Sequence, residues 1–177
     1  MPVTINGSAG VTTNVGAVYN GLQTDTAKAS TSGTSIDFTG IPSWVKRITV
    51  MLNGVSTNGT SQIQFQLGDS GGVEITGYLS SGVGYSGAAL GTANYTAGFG
   101  LNTGGAAYLA NGAITFTLLD ASTNLWAAQG QFGYSNGAFY AVVAGSKPLS
   151  ATLDRVRITT VNGTDTFDAG TINIIYE

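Results

Sequence analysis

The stretch Gln62-Ile63-Gln64-Phe65-Gln66-Leu67 alternates polar and apolar side chains without a break. Successive side chains of a β-strand point to opposite faces of a sheet, so this period of two predicts a strand with one apolar and one polar face. We expect Ile63, Phe65 and Leu67 to meet a core and the three glutamines to face away from it. The stretch therefore indicates a half-buried strand.

The same alternation recurs along the rest of the chain. Further strands are predicted at 47–52, 114–118, 155–158 and 171–176, and the segment 139–143 is apolar on both faces. No stretch combines a long 3.6-residue period with a capping start and a helix end, so helices are expected to be minor.

Turn signals separate these strands. Asn-Gly occurs seven times, and glycine after asparagine suits the positive φ angles of tight hairpin turns. About eight short strands with regular turns favour two packed sheets over a parallel α/β fold. The predicted fold class is all-β: an antiparallel β-sandwich, jelly-roll-like, with an extended N-terminal arm.

The composition divides the chain into two parts. Residues 1–33 are rich in Thr, Ser, Gly and Ala, which predicts an arm or linker, and residues 34–177 are predicted to form a single β-sandwich domain. Within that domain, residues 80–112 form a long insertion of Gly, Ser, Ala and Asn, and residues 129–137 form a shorter one. Loops of this length are usually functional or disordered.

Aromatic residues punctuate both insertions. Tyrosine among Ser, Gly and Asn is typical of adaptable binding loops, because a rigid amphipathic ring supplies contact area at low entropic cost. A glycine-rich interface between subunits is the alternative interpretation. The candidate binding residues are Tyr85, Tyr95, Phe99, Tyr108 and Tyr134.

The residue inventory excludes several kinds of chemistry. The chain contains no cysteine and no histidine, so disulfides, Cys/His zinc sites and histidine acid-base catalysis are excluded. Six basic and nine acidic residues give a net charge of −3, which does not suit nucleic acid or an anionic membrane. We expect no catalytic residues, no cofactor, no metal and no enzymatic activity.

Some motifs resemble functional sites but lack the necessary partners. Gly68-Asp69-Ser70-Gly71-Gly72 resembles the segment around a protease nucleophile, yet the chain has no histidine to act as its base. The three lysines, at 28, 46 and 147, occupy polar or turn contexts that give no sign of burial. Asp165 and Asp168 lack the spacing of a calcium loop, and Trp44 and Trp126 are expected to be packing residues.

A longer segment carries a resemblance to a family. Residues 34–50, Thr-Ser-Ile-Asp-Phe-Thr-Gly-Ile-Pro-Ser-Trp-Val-Lys-Arg-Ile-Thr-Val, followed by Asn-Gly-Val-Ser at 53–56, resemble structural virion proteins of tailed bacteriophages and prophages, often described as tail-fibre-like. The ending at 167–177 continues the likeness, and residues 3–11 resemble short starts of phage fibre proteins. The resemblance implies a place on the exterior of a phage particle and carries over no catalytic residue.

Three functions remain open on these grounds. The first is an external tail-fibre or receptor-binding protein that takes part in host adsorption, with a host-surface glycan or protein as ligand. The second is a decoration (cement) protein on the capsid surface, and the third is a carbohydrate-binding module. Apolar positions on both faces of 139–143 and 172–176 further predict a homo-oligomer, expected to be a trimer, in contact with other virion proteins.

Overall fold

The computed structural model describes the backbone of residues 4–6, 10–12, 18–19, 21–87 and 89–177, and the side chains of residues 21–87 and 89–177. These residues form strands and turns, and no helix occurs among them. The strands are β1 (Thr4–Asn6), β2 (Gly10–Thr12), β3 (Val18–Tyr19), β4 (Gln23–Thr24), β5 (Lys28–Ala29), β6 (Ser35–Thr39), β7 (Arg47–Thr57), β8 (Ile63–Asp69), β9 (Gly72–Val73), β10 (Leu79–Ser86), β11 (Ala89–Tyr95), β12 (Phe99–Gly100), β13 (Ala110–Asp120), β14 (Leu125–Tyr134), β15 (Phe139–Pro148), β16 (Leu153–Thr160) and β17 (Phe167–Tyr176).

Two antiparallel sheets make up the β-sandwich. The large sheet has the order β11-β10-β15-β14-β13-β7-β17-β4, with β5 also paired to β17. The small sheet has the order β12-β8-β16-β6, with β9 also paired to β8. The predicted all-β antiparallel class is confirmed. Strands β1, β2 and β3 pair with one another in a separate three-stranded sheet.

The strand pairs are nested along the sequence. The first and last long strands, β7 and β17, pair in the large sheet, and β8 and β16 pair inside them in the small sheet. The next pair inward is β10 with β15, and the innermost is the β13-β14 hairpin. Distant parts of the chain therefore meet in both sheets.

The core lies between the two sheets and is aromatic at its centre. Phe65 of the small sheet stacks on Phe132 of the large sheet with ring centroids 5.5 Å apart. Phe99 contacts Phe116 at 5.5 Å and meets Tyr78 edge-on at 5.1 Å. Full burial of each such ring contributes about 1.5–3 kcal/mol, so these contacts hold the sheets together.

The opening stretch is a strand, β8, but its predicted polar face is not exposed. All seven residues of β8 are buried. Gln64 donates from its side-chain amide to the Thr160 carbonyl at 3.2 Å, and Gln66 donates to the Ala97 carbonyl at 2.9 Å. The expectation of a half-buried strand is therefore wrong, because the segment that contains Ala97 covers the outer side of β8.

Two of the Asn-Gly pairs lie inside strands rather than at hairpin turns. Gly54 of β7 and Gly112 of β13 have positive φ angles of 62° and 145°. The β7-β13 register shifts between these positions, so two β7 residues oppose one on β13, which is a β-bulge. Asn111 stabilises it by accepting a hydrogen bond from the Gly54 amide at 2.8 Å.

The segment predicted as an N-terminal arm is partly described. Strands β4 and β5 lie along the outer side of β17, with Thr24 opposite Ile175 and Ala29 opposite Thr171. The backbone amide of Ser30 donates to the Gly170 carbonyl at 3.0 Å. Residues 1–3, 7–9, 13–17 and 20 of this segment lie outside the described residues.

Candidate functional site

The insertion at 80–112 is largely a β-hairpin rather than a loop. Strands β10 and β11 pair over seven residues, and the chain then returns beneath them through β12. The inward positions Gly82 and Gly84 have no side chain because the returning backbone lies against them. A Cβ atom at Gly84 would lie 1.9 Å from the Asn102 carbonyl oxygen, and one at Gly82 would lie 2.5 Å from that of Gly100.

Three of the five candidate binding residues lie in the interior. Phe99 is fully buried, and Tyr95 and Tyr134 are exposed by only 9% and 7%. Burial raises the pKa of Tyr95 to about 12 and also raises the pKa of Tyr134. The prediction that these rings project from loops is corrected: they pack against the core because their strands turn them inward.

The hydroxyls of the buried tyrosines hold the returning segment in place. Tyr95 donates to the Asn102 side-chain oxygen at 3.2 Å, and Tyr134 exchanges hydrogen bonds with Thr103, the shorter at 2.5 Å. Tyr108 is half-buried and stacks on Phe139 with a centroid separation of 4.6 Å. These three tyrosines support the hairpin from below and do not form its outer surface.

Tyr85 is the candidate residue that does face outward. It lies directly across from Tyr140 of β15, and the two rings are exposed by 49% and 44%. The Tyr140 hydroxyl donates to the side-chain oxygen of Gln131 at 2.7 Å. Gly133 lies opposite Tyr140 on β14, and a Cβ there would meet nothing within 4 Å, so the Tyr140 ring stands beside open space.

A shallow groove of about 540 Å³ lies on the outer side of the large sheet, and Gln131, the hydrogen-bond partner of Tyr140, is part of its lining. Cross-strand pairing sets Val142 beside Gln131, Gln131 beside Ala113, and Gln129 beside Thr115. We call this surface the tyrosine–glutamine face; it consists of Tyr85, Ala113, Thr115, Gln129, Gln131, Tyr140 and Val142.

The tyrosine–glutamine face is free of charged side chains. Asp120 is the only charged residue between Ile75 and Ser146, the part of the sequence that supplies this face. The small sheet differs, since Arg157 forms a two-pronged ion pair with Asp37 at 2.7 and 2.8 Å on its outer side. The Arg157–Asp37 ion pair therefore lies on the opposite side of the molecule from the tyrosine–glutamine face.

A buried polar cluster was not expected from the sequence. Lys147 is only 4% exposed and forms an ion pair with Glu74, and its ammonium also donates to the Pro148 carbonyl at 2.7 Å. The expectation that the lysines show no burial is wrong for Lys147. The sequence did contain a sign of this burial: in the alternation of β15, Lys147 falls on the same inward face as Ala141 and Val143.

Hydrogen bonds extend this cluster to the segment that resembles a protease motif. Ser150 donates from its hydroxyl to Asp69 at 2.6 Å and from its amide to Glu74 at 2.7 Å. The Ser150 hydroxyl and the Gly71 amide hold the pKa of Asp69 below its usual value. Burial opposes ionisation of Glu74, but its bonds to Lys147 and Ser150 outweigh burial and lower its pKa. Asp69 thus holds loops together and does not serve Ser70.

The remaining motif residues are engaged in structure. Asp165 accepts hydrogen bonds from the Ser61 amide at 2.9 Å and the Asn162 side chain at 2.7 Å, and these bonds lower its pKa. Trp126 is buried, as predicted, and Trp44 packs on Tyr176 at 5.9 Å. Within residues 21–87 and 89–177, no group of three acidic side chains could hold a metal ion.

Comparisons with known proteins give no relative. No protein-family model, no curated protein and no solved structure matches the chain. A search of the described part of the chain for a helix long and apolar enough to cross a membrane finds none.

Proposed function

We propose that this chain is a non-enzymatic component of the exterior of a tailed-bacteriophage particle, of the tail-fibre or receptor-binding type. The resemblance of residues 34–56 and 167–177 to phage virion proteins supports the location. We propose further that the tyrosine–glutamine face binds an uncharged glycan on the host surface. The observation that carries this role is the exposed, charge-free pairing of Tyr85 with Tyr140, which is hydrogen-bonded to Gln131 of a groove lined by glutamines.

The chemistry of the face suits a sugar polymer. Two exposed aromatic rings offer apolar surfaces for the C–H faces of sugar rings, and the Gln129 and Gln131 amides can both donate to and accept from hydroxyl groups. The lack of charge favours an uncharged ligand, since nothing on the face would pair with a phosphate or carboxylate. A shallow groove also fits an extended chain better than a small enclosed molecule.

A tyrosine double variant tests this role. We expect Tyr85→Ala/Tyr140→Ala to lower adsorption of particles to host cells, and glycan binding by the isolated protein, at least tenfold, because both ring surfaces are lost. Thermal unfolding of the double variant should differ little from that of the parent protein, since both rings lie outside the core.

Immuno-gold electron microscopy with an antibody against the chain tests the location, and label at the tail is expected.

The matched control is Ile75→Ala, which truncates a side chain exposed by 61% away from the tyrosine–glutamine face. This variant should adsorb like the parent protein. Normal adsorption by the tyrosine double variant would refute the binding role. Label over the head instead of the tail would indicate a capsid decoration protein and not a tail appendage, whatever the adsorption result.

We also propose that the sandwich is a jelly-roll-like fold with residues 1–33 as an N-terminal arm. The nested pairing of β7 with β17, β8 with β16 and β10 with β15 supports the first part. The innermost hairpin, β13-β14, joins the large sheet instead of the opposite one. The pairing of β4 and β5 along β17 supports an arm that lies against a sheet edge.

A further inference from the structure

The outer edge of the large sheet is formed by β11. Among the described strands it pairs with β10 alone, and six of its seven residues are exposed or half-buried. An edge strand presents unpaired backbone N–H and C=O groups that can bind another strand. This edge therefore offers a template for β-pairing between molecules.

The other described edges of the two sandwich sheets are short or partly covered. Strands β4 and β5 lie along β17 at the opposite edge of the large sheet. In the small sheet, the Lys28 ammonium binds the Asp37 carbonyl of the edge strand β6, and β12 and β9 have two residues each. Edge strands are normally also protected by charged residues or proline. The sequence of β11, Ala-Leu-Gly-Thr-Ala-Asn-Tyr, contains neither.

We propose that β11 pairs antiparallel with β11 of a second copy of this chain, about a two-fold axis at Thr92. The two large sheets would then join edge to edge into one continuous sheet. This contact joins two copies, whereas the sequence led us to expect a trimer. It does not depend on the proposed function, because it uses the backbone edge and not the tyrosine–glutamine face.

The register follows from the side chains that flank the axis. Pairing about Thr92 sets Leu90 of each copy opposite Asn94 of the other, on the outer side of the sheet. Leu90 is 67% exposed, which is unusual for a leucine on a strand. Asn94 lines a mostly apolar cleft of about 560 Å³, together with Leu79, Ser81 and Ala144. Each leucine thus reaches the edge of the cleft of its partner.

The same residues explain why the partner is a second copy. One strand carries both the protruding Leu90 and, four residues later, the side of the cleft, so a two-fold axis forms both contacts at once. The inward pairs are small as well, with Gly91 opposite Ala93. No charged side chain on β11 opposes its own copy.

A single cysteine tests the axis directly, because the chain has no cysteine of its own. Directly opposed residues of antiparallel strands have Cα atoms about 4.5–5.5 Å apart, within the range that a disulfide spans. We expect Thr92→Cys to form a dimer of twice 17.9 kDa on mild oxidation. On denaturing, non-reducing electrophoresis the control Leu119→Cys, also 67% exposed but on β13, should run as a single chain, because its cysteine lies away from the axis and forms no cross-link.

Charge substitutions test the same contact without a covalent bond. Thr92→Lys and Thr92→Glu each place like charges across the axis, which destabilises the pairing, so each variant alone should sediment as a monomer. Mixing the two variants should restore the dimer because the opposed charges now attract. The parent protein should sediment as a dimer, and Leu119→Lys should do the same.

Three results would overturn the proposal. A parent protein that stays monomeric at high micromolar concentration would show that the edge does not pair. A parent dimer or trimer whose mass is unchanged by both charge variants would place the contact elsewhere. Failure of the mixed variants to associate, with each one folded by circular dichroism, would exclude the two-fold register at Thr92.

Discussion

At the scale of single residues, Asp69 and Glu74 are more important for the folded structure than their isolated positions in the sequence indicate. Both carboxylates accept hydrogen bonds from Ser150, and Glu74 also pairs with the buried Lys147. The cluster ties the turn after β8 to the connection between β15 and β16. Loss of one partner would leave a buried polar group unsatisfied, which costs about 1–3 kcal/mol.

The pKa shifts of this cluster contribute to the pH dependence of stability. The pKa values of Asp69 and Glu74 are lowered by folding, so the stabilisation is present above the ordinary carboxyl pKa and is lost as pH falls through the lower folded values. With no histidine in the chain, the free energy of unfolding should be flat from pH 6 to 8 and fall below about pH 4. Urea unfolding across this range checks both parts.

Replacement of Asp69 measures how much this carboxylate contributes to the free energy of unfolding. Asp69→Asn should lose about 1–3 kcal/mol of unfolding free energy at pH 7, because the Ser150 hydroxyl loses a charged acceptor. At acid pH, below the lowered pKa of Asp69, the difference from the parent protein should shrink, since the parent carboxylate is then protonated. The control is Asp25→Asn, at a half-buried carboxylate that accepts a hydrogen bond from the neighbouring Thr26 amide and lies outside this cluster, and it should have little effect at either pH. An Asp69→Asn deficit that stays constant between the two pH values would contradict this account.

At the scale of elements, the glycines of the β10-β11 hairpin are sites of close approach. Gly84→Ala should destabilise the fold by about 1–3 kcal/mol, because the new methyl group would overlap the Asn102 carbonyl. Gly133→Ala on β14 is a matched control: its Cβ would meet nothing within 4 Å, so its effect should stay within about 0.5 kcal/mol. Equal unfolding free energies for the two variants would refute the close approach.

The strands were largely predictable and their surroundings were not. Period-two alternation located β7, β8, β13, β16 and β17, because it reports which side chains share a face. It could not show that Ala97 covers the second side of β8, since that contact comes from a distant segment. Asn53-Gly54 likewise has the composition of a turn. The positive φ angle of Gly54 instead belongs to a β-bulge, and the strands that pair with β7 there, β13 and β17, lie far along the chain.

The binding surface was predictable only in part for the same reason. Composition indicated Tyr85 as a binding residue, but it indicated Tyr95 and Tyr134 just as strongly. Only the strand register distinguishes a ring that faces outward from one that faces inward. Tyr140 joins Tyr85 through pairing of β10 with β15, more than 50 residues apart in the sequence. The apolar segment at 139–143 did indicate a strand whose outer side is not fully polar.

At the scale of the whole molecule, stability depends on packing far more than on charge. Only 8% of residues are charged, and the Arg47–Glu177 ion pair is largely exposed while Lys147–Glu74 is shielded from solvent. Raising NaCl from 0.05 to 1 M should therefore change the free energy of unfolding by less than about 1 kcal/mol. Urea unfolding at both salt concentrations measures this, and a loss of several kcal/mol would contradict it.

The nested pairing of the strands has a consequence for how the protein is made. Strand β7 needs β17 and β8 needs β16, so neither sheet can close until β16 and β17 have left the ribosome. Until then the nascent chain exposes apolar strands with open edges, the kind of species that chaperones bind. With so many long-range pairings, folding should take on the order of milliseconds to seconds and be completed only once β17 has left the ribosome.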